Sequence, residues 1–168
     1  MQRIRGFTLI ELMIAIALLG IIAALAAPSM ANFVIRQRVS SQANELMLSL
    51  AFARSEAIKR NVPIRLLPRT NSAEGWQEGW CIGPTSMADC NHADRLKVFE
   101  AKSEVSVSSG DFVGAPLTFN RDGTVLPQEG DFSITSAKLN ANSLDARCIN
   151  ISPQGRPRLT KVTRDAGC

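Results

Sequence analysis

The chain has 168 residues, which is enough for one globular domain with a modest hydrophobic core. Apolar residues make up 45% and charged residues 20%, a composition that excludes a disordered chain and a membrane protein with several spans. The 19 basic and 15 acidic side chains leave a net charge of +4, which permits an anionic partner but does not identify one.

The charge is distributed unevenly along the chain. Arg3 and Arg5 place +2 in the first six residues, whereas residues 7–145 carry 12 basic and 14 acidic side chains, a balance of −2. Residues 146–168 hold five basic side chains against Asp165 alone, a balance of +4. An acidic body therefore lies between two basic ends, and each end requires its own explanation.

The amino-terminal segment is apolar enough to predict a membrane helix. Residues 12–27 contain no charge, and a helix over residues 7–27 would be about 30 Å long, enough for one crossing of the hydrocarbon core. The preceding arginines then place residues 1–6 in the cytoplasm and the chain after Pro28 outside. A cleaved secretory signal has a similar pattern, but Glu11 would cost roughly 2.5–3.5 kcal/mol at the bilayer centre, which a disposable signal has no reason to bear.

Residues 5–12, with the sequence RGFTLIEL, resemble the class III signal of type IV pilins and type II secretion pseudopilins. The resemblance implies cleavage by prepilin peptidase between Gly6 and Phe7, N-methylation of Phe7, and retention of the apolar helix in the inner membrane. Glu11 matches the glutamate at the fifth position of the mature chain in that family. A carboxylate in lipid is tolerable when a cation pairs with it, and the new amino terminus of a neighbouring subunit would supply one.

After Pro28 the apolar pattern becomes amphipathic and predicts that one helix continues from residue 7 to residue 60, approaching 80 Å. Pro28 fits both a kink within the helix and the point of membrane exit, and the sequence leaves both open. Asn61 and Pro63 end the helix. The stripe that must be buried consists of Ile35, Val39, Ala43, Leu46, Leu50, Ala53 and Ala57.

The rest of the chain predicts short strands at residues 62–67, 80–82, 96–99, 105–109, 117–120, 132–135 and 147–152. Residues 120–124 carry an Asp-Gly turn signal, Asp122 and Gly123, between two strands. We therefore expect an α+β fold in which a long N-terminal helix packs on an antiparallel β-sheet domain. The predicted divisions are a leader at 1–6, a transmembrane and assembly half of the helix at 7–28, an amphipathic half at 29–61, and a β-rich globular domain at 62–168.

Three further segments resemble the GspH/FimT branch of minor pilins and minor pseudopilins, which includes FimT-like and FimU-like proteins. Residues 50–61 are similar to the helix end of that family, residues 75–82 to its tryptophan-rich strand, and residues 149–156 to its late strand and turn. The resemblance implies a type IV pilin-like fold and other major and minor pilins as partners. For Trp76 and Trp80 we favour the simpler interpretation of core packing beneath the sheet.

Four cysteines in an exported domain are expected to form disulfide bonds, and three pairings are possible. Proximity and strand placement favour Cys81–Cys90 and Cys148–Cys168. A metal site at Cys81, Cys90 and His92 would lack a fourth ligand and a recognised spacing. No nucleophile elbow, P-loop or dinucleotide motif is present in the sequence, so we expect neither an enzyme nor a bound cofactor.

The basic carboxyl-terminal segment contains Arg156, Arg158, Lys161 and Arg164. Residues 155–158, with the sequence GRPR, resemble the motif of FimT-type minor pilins that bind DNA during natural transformation. The resemblance covers Arg156 and Arg158 directly, and Lys161 and Arg164 by proximity. It implies sequence-independent binding of double-stranded DNA through its phosphate backbone. The alternative is a solvated turn that pairs with acidic surfaces of neighbouring subunits.

Three functional hypotheses follow. The first is a minor pilin that enters a type IV pilus and caps or primes the fibre. The second is a DNA receptor within the same pilus, and the third is the equivalent minor pseudopilin of a type II secretion system.

Overall fold

A computed structural model describes residues 7–70, 75–110, 116–127 and 130–168. The chain divides into two compact units, Met1–Val34 and Ile35–Cys168. One helix, α1, extends over Leu9–Arg60, close to the predicted bounds, and its backbone continues through residue 28. Among the described residues, no helix has both the length and the apolar character that a membrane crossing requires.

The β-strands of the second unit form two antiparallel sheets, where the sequence predicted one. The five-stranded sheet has the order β3-β2-β1-β5-β6, and the four-stranded sheet has the order β4-β7-β8-β9. In chain order, the strands are β1 Ile64–Pro68, β2 Gly79–Pro84, β3 Lys97–Glu100, β4 Ser106–Ser108, β5 Leu117–Phe119, β6 Val125–Leu126, β7 Gly130–Thr135, β8 Ala146–Ile151 and β9 Pro157–Val162.

Two strands were absent from the sequence prediction. Strand β6 has only two residues, and β9 carries basic side chains that resemble a solvated tail rather than a strand. One further assignment was wrong, because Trp76 lies in a short 3-10 helix, Gly75–Glu78, and not in a tryptophan-rich strand. Trp80 does lie in a strand, β2.

The predicted helical stripe forms one side of the hydrophobic core. All seven of its residues, from Ile35 to Ala57, are buried. They join one cluster with inward-facing residues of both sheets, among them Leu66 and Ile82 of the first and Phe132 and Ile149 of the second. The amphipathic half of α1 is therefore held by burial of its apolar face, as its 3.6-residue period predicted.

Both tryptophans belong to this core, which confirms the packing interpretation. The ring of Trp76 meets Phe132 edge-on at 4.8 Å between centroids, and Trp80 stacks on Phe99 at 5.7 Å. The buried indole N–H of Trp80 donates to Ser49 Oγ of the helix at 2.9 Å, and that hydroxyl donates to the carbonyl of Glu45 at 2.7 Å. A polar group inside the core is thus fully paired.

The structure contains a disulfide bond between Cys81 and Cys90, which confirms that predicted pairing. It also joins Cys148 to Cys168. The first bond closes a short loop after β2, and the second attaches the carboxyl-terminal residue to β8. No free cysteine occurs in the described chain.

Candidate functional site

The amino-terminal end of α1 is closed by a capping box, which is the structural context of Glu11. The carboxylate of Glu11 accepts hydrogen bonds from the Thr8 backbone N–H at 3.2 Å and the Thr8 hydroxyl at 3.1 Å. The Glu11 N–H donates in return to Thr8 Oγ1 at 3.3 Å. Phe7 is exposed before this cap, and Gly6 lies outside the described residues.

The carboxyl-terminal basic residues belong to the hairpin that β8 and β9 form. In its register Asn150 faces Arg158, Ile149 faces Leu159 and Arg147 faces Lys161. The connecting turn is closed by a hydrogen bond from the Gly155 N–H to the Ser152 carbonyl at 2.8 Å. Gly155 has φ +68°, a left-handed conformation in which glycine avoids the Cβ clash that other residues incur. Arg156 follows at the start of the return strand.

This hairpin turn packs against a second turn, at residues 120–124, which joins β5 to β6. A Cβ atom built on Gly155 would lie 2.3 Å from the Gly123 carbonyl oxygen, so the two backbones approach as closely as glycine allows. The Val125 N–H also donates to the Pro153 carbonyl at 3.2 Å. The position of Arg156 is therefore set by contact between two turns that are distant in sequence.

The second turn is stabilised from within and from the helix. The Asp122 carboxylate accepts hydrogen bonds from the Thr124 hydroxyl at 2.7 Å and the Thr124 N–H at 3.0 Å, which hold the pKa of Asp122 below its ordinary value. Arg54 of α1 donates its Nε–H to the Gly123 carbonyl at 3.1 Å. Helix, second turn and basic hairpin thus form one connected arrangement.

Arg156 and Arg158 are both exposed and available to an external anion. Within the described residues neither forms an ion pair, although seven ion pairs of lysine or arginine occur elsewhere in that part of the chain. A guanidinium group presents a planar fork of donors that matches a phosphate. The two arginines that the resemblance covered directly therefore keep their full charge at the surface.

The other two predicted residues do not join them on one surface. Lys161 is exposed, but it lies three residues beyond Arg158 on β9, so strand alternation places it on the opposite face. Arg164 pairs with Asp165 at 2.7 Å and donates to the Leu139 carbonyl at 3.1 Å. The carboxylate beside it raises the pKa of Arg164 and neutralises its charge locally. The four residues therefore do not form a single basic patch.

The disulfide bonds leave little ligand chemistry for a metal at the cysteines. The sulfurs of Cys81 and Cys90 are bonded to each other, and His92 Nδ1 accepts the Asp94 N–H at 3.2 Å in an exposed loop. Among the described residues, the one close group of three side chains of metal-binding types is Asp131 with Cys148 and Cys168, and its sulfurs form the second disulfide.

One cation near the hairpin was missed by the sequence reasoning. In the sequence, Arg54 was only part of residues 50–61, the segment that resembles the family's helix end. In the structure it lines the same groove as Arg156, together with Ala51, Ser55, Ile58 and Pro157. No spacing rule could have linked the two, because they meet only when the hairpin folds onto the helix.

Comparison with protein families matches two parts of the chain. The family described as type II transport protein GspH matches residues 42–155. The prokaryotic N-terminal methylation motif matches residues 1–27, where the cleavage and methylation residues were predicted.

Curated relatives are similar over short segments of the chain. A probable minor fimbrial protein of Dichelobacter nodosus is 45% identical over 53 residues, which cover 30% of this chain and 33% of that protein. The type IV major fimbrial protein FimA of the same organism is 51% identical over 41 residues, or 24% of this chain and 26% of that protein. The matched segments thus span a third or less of these relatives.

Solved structures are similar over most of the chain. The crystal structure of the type IV minor pilin FimU of Pseudomonas aeruginosa superposes with a TM-score of 0.59 at 26% identity, covering 81% of this chain and 96% of that one. A second crystal form of FimU gives a TM-score of 0.57 at 23% identity and covers 77% and 96% of the two chains.

Proposed function

The chain belongs to the GspH/FimT family of minor pilins and minor pseudopilins, and from this premise we propose that it enters a type IV pilus and supports its assembly or priming. The observation that carries the proposal is the match to FimU, which extends over nearly the whole of that minor pilin and includes both the helix and the sheets. Other major and minor pilins are the partners that this role requires.

Processing and membrane insertion belong to the same proposal. Prepilin peptidase would remove residues 1–6 by cleavage between Gly6 and Phe7, and Phe7 would then be N-methylated. Residues 7–28 would hold the chain in the inner membrane by a single pass, residues 29–61 would form the amphipathic half of the helix, and residues 62–168 would form the periplasmic domain. Glu11 would pair with the amino terminus of a neighbouring subunit, since its second carboxylate oxygen accepts no hydrogen bond among the described residues.

Mass spectrometry of the protein purified from its native membrane tests this step. The expected amino-terminal peptide begins with N-methylated Phe7. A mature protein that retains Met1 would contradict both the processing and the assembly role.

We further propose that the pilin binds double-stranded DNA through its phosphate backbone during natural transformation. The support is the exposure of Arg156 and Arg158 at the tip of the β8–β9 hairpin, without an ion pair in the described residues. Contacts with phosphates position a protein on DNA without reading its sequence, so we expect binding that is independent of sequence and weakened by salt.

The experiment compares duplex DNA binding by the full chain, in a non-ionic detergent, across a salt series. A plot of log affinity against log salt concentration has a negative slope, to which each phosphate contact contributes about 0.9. The double variant Arg156→Ala, Arg158→Ala is expected to make this slope shallower by about two. Arg164→Ala is the matched control, because its charge is already paired with Asp165. An unchanged slope in the double variant would refute the DNA proposal and leave the pilin assignment intact.

A second candidate function is a minor pseudopilin of a type II secretion system. The description of the matching family as a type II transport protein favours it. Deletion of the gene, with scoring of surface pili, twitching motility and protein secretion, separates the two roles. Loss of pili with normal secretion supports the pilus role, and the reverse result supports the secretion role.

A further inference from the structure

A groove with a volume of about 430 Å³ lies between the carboxyl-terminal part of α1 and the basic hairpin. Its helix side is formed by Ala51, Arg54, Ser55 and Ile58, and its hairpin side by Arg156 and Pro157. Two arginines that are remote in sequence therefore face one cleft, while the other lining residues are small or apolar.

The charges of this groove are of one sign, since no acidic residue lines it. Ala51, Ser55 and Ile58 are exposed, so the groove is open to solvent, and the attraction of its two guanidinium groups for an anion is screened by salt. The Ser55 hydroxyl already donates to the Phe52 carbonyl at 2.9 Å, so an anion would be held chiefly by the arginines.

The side chain of Arg54 is held in place by the protein and can still bind an anion. Its Nε–H is used by the Gly123 carbonyl at 3.1 Å, which fixes the plane of the guanidinium group. Among the described residues its two terminal nitrogens donate to no protein group. The guanidinium group is held by the protein and still has four N–H bonds for a ligand.

We infer that Arg54 and Arg156 form a composite site for the DNA backbone in which each guanidinium group binds one of two neighbouring phosphates, so that Arg54 is a binding residue in its own right. This inference rests on the proposed DNA function and adds to it a contact from the helix. The strand that carries Arg158 would then continue the path of the backbone away from the groove.

The test measures binding of a random-sequence DNA duplex by the full chain in a non-ionic detergent over a salt series. Arg54→Gln is expected to weaken DNA binding about tenfold at low salt. It should also make the slope of log affinity against log salt concentration shallower by about one. Lys59→Gln is the matched control, because Lys59 is an exposed cation of the same helix, outside the groove. It should leave the slope nearly unchanged.

A background variant distinguishes binding from positioning. If Arg54 itself contacts a phosphate, adding Arg54→Gln to a chain that already carries Arg156→Gln makes the salt slope shallower by about one more unit. If Arg54 acts only by positioning Arg156, Arg54→Gln has no effect on DNA binding in the Arg156→Gln chain, and the inference is overturned.

The two proposals fail in different ways. Absence of DNA binding by the unmodified chain would overturn the DNA function and this inference together. If the unmodified chain binds and Arg156→Gln weakens it, but Arg54→Gln behaves like Lys59→Gln, only the composite site is refuted. Denaturant unfolding of each variant, followed by the fluorescence of the buried tryptophans, verifies that the fold is retained.

Discussion

Substitution of Gly155 by alanine tests whether the contact between the two turns determines the position of the basic hairpin. The new Cβ would destabilise the fold in two separate ways. Gly155 has φ +68°, and a left-handed conformation costs a residue with a Cβ about 1–2 kcal/mol. The Cβ would also lie 2.3 Å from the Gly123 carbonyl oxygen and 3.1 Å from the ring of Phe119, so the backbone of one turn must move.

Gly167 provides a matched control for the first penalty. It has a similar φ of +64°, but a Cβ built on it meets nothing within 4 Å. Gly167→Ala should therefore cost about 1–2 kcal/mol, the conformational term alone. Gly155→Ala should cost that amount and about 1–3 kcal/mol more, the usual range for a side chain forced into a packed site.

Urea unfolding monitored by tryptophan fluorescence measures both changes, since Trp76 and Trp80 are buried in the core. The reasoning predicts a clearly lower midpoint for Gly155→Ala than for Gly167→Ala, with the same m-value. Equal free energies of unfolding for the two variants would refute the close contact between the turns. In the DNA assay, Gly155→Ala should also weaken binding, because Arg156 follows the displaced residue.

Two further predictions concern a buried hydrogen bond to the helix and an exposed ion pair between two loops. Ser49→Ala removes the acceptor of the buried Trp80 N–H, so it should lower the free energy of unfolding by about 1–3 kcal/mol. Ser55 is exposed, so Ser55→Ala should change the free energy of unfolding little. A urea titration that shows equal effects would contradict the role of the Trp80 bond. The Lys138 ammonium, which donates to Glu104, holds the pKa of that carboxyl below its usual range, so Lys138→Met should raise the pKa in an NMR titration. Since the folded pKa is lowered, the carboxylate stabilises the fold at neutral pH, and this contribution is lost as the pH falls from the unfolded pKa through the folded one.

Much of the fold was predictable because it depends on short-range patterns. The 3.6-residue period of the stripe from Ile35 to Ala57 predicted which face of α1 is buried, and every member of the stripe is buried. Strands β1 to β5, β7 and β8 lie within a few residues of their predicted positions. The Asp122–Gly123 signal predicted a turn, which the structure forms between β5 and β6.

The two wrong strand predictions, at β9 and at Trp76, also have causes in the local sequence. Strand β9 has three exposed residues among six and two cations, because it is an edge strand whose outer side needs no apolar cover. A period-2 apolar pattern is therefore missing, and the segment looked like a solvated tail. Trp76 was placed in a strand through the resemblance of residues 75–82 to a tryptophan-rich strand, whereas β2 begins only at Gly79, after the short 3-10 helix.

The sequence by itself determined the properties that act over a few residues or through composition. These are the N-terminal methylation motif in residues 1–27, the apolar and then amphipathic helix, the four cysteines, and the concentration of positive charge after residue 146. Each depends on residue type and spacing along the chain, which is what a linear sequence records.

Only the tertiary structure decided how that charge is presented. The side-chain alternation of β9 directs Arg158 and Lys161 to opposite faces, and Asp165 neutralises Arg164. The same folding brings Arg54 of the helix to the groove of Arg156. Electrostatic attraction depends on distance in space, so a net charge of +4 for the segment after residue 145 does not reveal that Arg156 shares a groove with a cation from the helix.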